Sequence, residues 1–266
     1  PWTPQLYQED ARKGRLTQRA GANLSLTAGS PHVKGALAVA QGAVIQVDPG
    51  RQISLTGNDQ ITVDGRLDAW GGKIAILPGS FGTGSDMDVP NGKGQATSIW
   101  IGEHAVLDVA GRATVATDMR GGRYGRADKG GSIEIGARYK ADAASVDAAD
   151  AFVVVRPGAL LDASGAQATL DLPNQGAVNV AGSGGLIALS SYNGIFADGT
   201  LRAAAGGAGA AGGTLALALD TPNYGKVNRH NLQGDNVDNA VRVPREMQLA
   251  QVQGESALPD DLRAGQ

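Results

Sequence analysis

The chain has 266 residues, a net charge of −3, no cysteine, 40 glycines and only 4% aromatic residues. The missing thiols exclude a disulfide framework and any cysteine-based site, and the low charge without a basic block argues against nucleic acid or anionic membrane as partners. A narrow core of Ala, Val, Leu and Ile fits this composition better than one large globular core, which would use more aromatic residues.

Residues 1–21 read as a lead-in, with one turn of helix expected around "QEDARKGR", and the abrupt polar opening reads as that of a fragment cut from a longer chain. No apolar run reaches the length of a membrane span, and no signal peptide is visible, so no membrane insertion is expected. Short alternating strands then begin, at "ANLSLTAG" (22–29), "ALAVAQGAVIQVDPG" (36–50) and "RQISLTGNDQITVDG" (51–65). "GRLDAWGGKIAI" (65–76) places strand, glycine corner and strand with no room for a helix.

From here two phrases recur. One is a glycine pair followed by an apolar alternation: "GGKIAI" (71–76), "GGSIEI" (130–135), "GGLIAL" (184–189) and "GGTLAL" (212–217). The other is apolar–Asp–small–x–Gly: "RLDAWG" (66–71), "VLDVAG" (106–111) and "LLDASG" (160–165). Leu67 to Leu107 and Leu161 to Leu201 are each 40 residues, while Leu107 to Leu161 and Ile133 to Ile187 are each 54. Such spacing suits coils of roughly 20 residues, some carrying insertions, and recurrence of this kind marks a repeat architecture. The expected fold is all-β, a right-handed parallel β-helix (β-solenoid) over 22–219 with long loop excursions at 78–97, 117–130, 138–151 and 167–184. The third of these excursions could hold a short helix, being rich in alanine. A β-sandwich would need hairpin signals between long alternating runs, and these are scarce. Beyond 220 the repeat stops, and 220–266 reads as a linker or a cap with a short helix at 244–253.

The glycine pairs are expected at corners, with Ile74, Ile76, Ile133, Ile135, Ile187, Leu189, Leu215 and Leu217 facing a shared core. Asp68, Asp108 and Asp162 could form a row of acids of the kind used in polysaccharide cleavage, but their place beside the corner glycine favours bonding to backbone N–H groups. His32, His104 and His230 lack ligand spacing, and Asp86 and Asp88 lack the rest of a calcium loop, so no metal and no cofactor are expected. No phosphate loop ends in Gly-Lys-Ser/Thr and no nucleophile elbow is present, so no catalysis is expected. Arg120, Arg123 and Arg126 surround Tyr124 in a glycine-rich loop, a combination suited to a glycan or an acidic surface polymer through stacking and forked hydrogen bonds.

"RPGALLDASGA" (156–166) and "GRLDAWGGKIAIL" (65–77) resemble the filamentous haemagglutinin family, the large exoproteins of bacterial two-partner secretion. The resemblance covers about 22–219 and rests on repeat motifs; no "NPNG"-type secretion signature is present. It implies a protein exported through an outer-membrane transporter of two-partner secretion to the surface of a Gram-negative bacterium. It also implies a structural and adhesive role, on host cells or in biofilm and virulence. The alternatives it leaves open are a carbohydrate-active β-helix enzyme and the shaft of a toxin-delivery protein.

Overall fold

The computed structural model describes residues 21–30, 33–79, 98–140, 151–191 and 193–219, together with the backbone of 228–230 and 236–238. The described residues are strands and turns without a helix. The helices expected near 8–15 and at 244–253, and most of that at 138–151, lie outside them.

The chain repeats one itinerary. Its first passage contributes β1 (Leu24–Ala28), β2 (Leu37–Val39) and β3 (Val44–Gln46), one strand to each of three sheets. The second contributes β4 (Gln52–Gly57), β5 (Ile61–Val63) and β6 (Arg66–Asp68), and the third β7 (Lys73–Pro78), β8 (Ser98–Ile101) and β9 (Val106–Asp108). A hairpin, β10 (Ala113–Thr117) with β11 (Arg123–Ala127), then intervenes before β12 (Ser132–Ile135), β13 (Phe152–Val155) and β14 (Leu160–Asp162). A second hairpin, β15 (Gln167–Leu172) with β16 (Gly176–Ala181), precedes β17 (Leu186–Ser191), β18 (Gly194–Ala197) and β19 (Thr200–Arg202). β20 (Thr214–Leu219) opens a sixth passage, and β21 (Asn228–His230) pairs antiparallel with β22 (Asn236–Asp238). The first sheet runs β1-β4-β7-β12-β17-β20, the second β18-β13-β8-β5-β2 and the third β19-β14-β9-β6-β3. Every pairing within these three sheets is parallel.

The register stacks like on like. Leu24, Ile53, Ile74, Ile133, Ile187 and Leu215 form one column, and Leu26, Leu55, Ile76, Ile135, Leu189 and Leu217 the next. Alternation sends both columns to one face, where they meet Ile61, Ile99 and Val153 from the second sheet and Leu67, Leu107 and Leu161 from the third. From Ile53 to Leu189 these columns are at most 1% exposed. Each such side chain contributes about 1.5–3 kcal/mol by leaving water. Leu215 and Leu217 depart from the expectation: they are 53% and 59% exposed, because among the described residues β20 is the end strand of its sheet and pairs with β17 alone.

The glycine pairs lie where the chain enters the first sheet, and the first of them sits in a turn closed by the Gly72 N–H on the Ala69 carbonyl at 2.9 Å, but left-handed backbone is not what the other pairs require. Of the eight glycines in the four phrases only Gly71 has a positive φ, at 62°. Instead the second glycine of each pair lies flat on the rung below. A Cβ on Gly131 would sit 2.1 Å from the Gly72 carbonyl oxygen, which already accepts the Ser132 N–H at 2.9 Å. Gly185 repeats the arrangement over Gly131 and Gly213 over Gly185. Close approach, more than left-handed backbone, demands glycine there.

Candidate functional site

Two of the expected loops are hairpins, and they leave the stack at equivalent places. β10–β11 separates β9 of the third sheet from β12 of the first, and β15–β16 separates β14 from β17 one passage later. Stacked rungs therefore set the hairpins side by side. Their roots are joined by a backbone bond from the Ala166 N–H to the Asp128 carbonyl at 3.0 Å, and a bond from the Gly182 N–H to the Ala166 carbonyl at 2.8 Å closes the root of the second hairpin. Further out β15 packs against β11 and β10, with Ala168 and Leu170 only 7% and 5% exposed. The excursions expected at 78–97 and 138–151 fall elsewhere in the chain order, between β7 of the first sheet and β8 of the second and between β12 and β13, and most of their residues lie outside the described ones.

The residues expected to bind glycan lie on and beside β11. Asp118 organises the turn before it, accepting the Arg120 and Gly122 N–H groups at 2.8 Å each, and Arg120 is exposed there. Tyr124 is half-buried and faces Ala116 across the hairpin. The other two cations already have carboxylate partners. Asp171 on β15 receives the Arg123 backbone N–H at 2.7 Å and its guanidinium at 3.2 Å through two nitrogens. The hydrogen bond from Arg123 holds the Asp171 carboxyl below its ordinary pKa. Arg126 Nε lies 2.9 Å from Asp128 Oδ1. The structure thus gathers Arg120, Arg123, Tyr124 and Arg126 on one hairpin, as an ordered strand and turn in place of the expected loop. Asp171 was missed. The apolar alternation on both sides of "LPNQG" (172–176) was its available signal, since it marks a hairpin.

Asp68, Asp108 and Asp162 form a register column on the third sheet, capped by Arg202. Like charges in neighbouring strands repel, and arginines offset this. Arg66 Nε lies 2.8 Å from Asp68, while its Nη2 and that of Arg112 each reach Asp108 at 3.0 Å. Trp70 Nε1 donates to the same Asp108 oxygen at 3.1 Å, with the Arg112 guanidinium 4.4 Å above its ring. The other oxygen of Asp108 accepts the Ala110 N–H at 3.0 Å, and Asp162 accepts the Ser164 N–H at 2.9 Å. Burial would raise the Asp162 carboxyl, but the hydrogen bonds from Arg202 and Ser164 prevail and hold it below its ordinary value.

A carboxyl lowered by folding stabilises above its unfolded pKa and loses that contribution as the pH falls through its folded one. Wild type is therefore expected to exceed Asp162→Asn in stability at pH 7, with the gap closing below about pH 4. Urea unfolding of both proteins at pH 7 and in acid measures it, and a gap independent of pH would contradict the assignment.

Among the described residues no group of His, Asp and Glu is arranged to hold a metal. His104 is exposed, with Nδ1 3.2 Å from Asp64 Oδ2. Asp86, Asp88, His32 and the His230 side chain lie outside the described residues. An aromatic group, which no sequence motif marks, lies on the outer side of the second sheet. There Phe152 and Phe196 stack at 6.4 Å, and Arg156 lies 5.2 Å over Trp100. No known protein family, curated protein or solved structure matches the chain.

Proposed function

We propose that the chain is a right-handed parallel β-helix acting as a structural and adhesive segment of a large bacterial surface exoprotein. On this reading it is of the filamentous haemagglutinin kind, exported through a two-partner-secretion transporter to the Gram-negative surface. The observation that carries the reading is the rotation through three parallel sheets with identical core columns in register. That plan extends by adding rungs, as a shaft requires, and confines variation to the corners. The hairpin flank supplies the adhesive part, with a glycan as ligand held by Tyr124 and its neighbours. Each contact would be weak, and many copies on one cell would add avidity.

The acid column is the feature that would favour a carbohydrate-cleaving enzyme. A general acid needs a carboxyl raised toward the working pH. Asp162 is lowered instead, and Asp68 and Asp108 are bound by arginine, which favours the structural role. The test is a glycan array with multimerised protein, wild type against Tyr124→Ala combined with Arg120→Ala. Capture should fall about tenfold or more, the loss expected from removing an aromatic anchor and its neighbour. Capture unchanged in the double variant would remove the flank from the reading. Release of reducing ends or unsaturated uronates from pectin or alginate would replace it with the enzymatic one.

A further inference from the structure

The Arg123–Asp171 contact joins residues 48 apart in sequence and ties together two hairpins that leave successive rungs. Three hydrogen bonds converge on one carboxylate, and one comes from the Arg123 backbone. That bond restrains the main chain immediately before Tyr124, so it bears on the ring's placement as well as on the arginine. Charge on the flank is also nearly balanced. Arg120, Arg123, Arg126 and Lys129 are set against Asp118, Asp128 and Asp171, and two of these cations are in ion pairs. An acidic polymer would have to displace carboxylates already in place, whereas a hydroxyl-rich uncharged chain can use the ring and the remaining donors without doing so. The register partner of Tyr124 across the hairpin is the small Ala116.

We propose that the clasped hairpins form one platform for neutral glycan chains, with Asp171 as the positioning residue that fixes Arg123 and Tyr124. This rests on the adhesive reading and specifies its ligand class. The experiment places wild type, Tyr124→Ala and Asp171→Ala, all multimerised, on an array of neutral, sialylated and sulfated glycans at low and physiological salt. Amide hydrogen exchange is followed on wild type and Asp171→Ala in parallel.

Wild type is expected to capture neutral glycans with a signal that survives physiological salt, since screening acts on charge and not on stacking. Both variants should lose about tenfold, the effect of a lost or misplaced anchor. In Asp171→Ala the Arg123 amide should exchange faster while β12 and β17 keep their protection, which separates displacement of the platform from unfolding. Full capture by Asp171→Ala, unchanged exchange at Arg123, or capture confined to sulfated glycans and abolished by salt would each overturn the proposal. A wild type silent on every glycan class overturns the adhesive reading itself, an outcome distinct from an Asp171→Ala variant that binds as well as wild type.

Discussion

Ile187→Asp is expected to unfold the stack outward from its fifth rung. Ile187 is 1% exposed and lies in column between Ile133 and Leu215, so the new carboxylate would have apolar neighbours on the strands to either side. An unpaired charge in such surroundings costs on the order of 4 kcal/mol or more, a large share of the 5–15 kcal/mol that holds most domains folded. Because each rung contacts mainly its neighbours, damage should begin locally, and proteolysis should cut near residue 187 before the circular dichroism signal is lost. Leu217→Asp is the matched control. It occupies an equivalent inward column, but at 59% exposure its charge stays wet, and the change should stay within about 1 kcal/mol. Thermal and urea unfolding of the two variants checks this, and equal losses would mean that the core lies elsewhere.

The second large effect is expected at Gly131. Alanine there would drive its methyl group into the Gly72 carbonyl, and the strands cannot part without breaking the bond from Ser132. Overpacking against backbone has no flexible side chain to absorb it, and a loss of about 3 kcal/mol is expected. Gly212 begins the fourth glycine pair but has open space where its Cβ would be and no positive φ. Gly212→Ala should therefore be neutral or stabilise slightly, by up to about 1 kcal/mol, through a less flexible unfolded chain. Urea midpoints of the two variants give the comparison. A costly Gly212→Ala beside a harmless Gly131→Ala would contradict the stacking described above.

These two sites also mark how far the sequence could be read. The columns were legible because each rung must present the same side chains at the same height. Ile74, Ile133, Ile187 and Leu215, picked out by their shared phrase, are indeed adjacent in the first sheet. The aspartate column was legible for the same reason, down to the backbone N–H bonds of Asp108 and Asp162. The purpose of the glycines was not, because contact between glycines as far apart as Gly72 and Gly131, on successive rungs, leaves no trace in the local pattern that a turn would not also leave. Exposure of Leu215 and Leu217 depends on what lies beyond a strand, which its own alternation cannot tell. On the flank, Tyr124 and its arginines stood out by composition. The partner of Arg123 did not, since Asp171 lies in the next excursion, and only stacking of the two hairpins joins them.

The stacking of rungs on which all of this depends is most directly tested by one distance. Val44 and Thr200 are exposed, outward-facing residues of the third sheet, linked through Arg66, Val106 and Leu160 by four register steps. The chain has no native cysteine to interfere with labelling. Spin labels at cysteines placed in these two positions should show, by double electron–electron resonance, a single separation near 19 Å, four steps of about 4.8 Å broadened by the label arms. A broad distribution, or a separation beyond about 30 Å, cannot arise from parallel strands stacked at that spacing and would contradict the account.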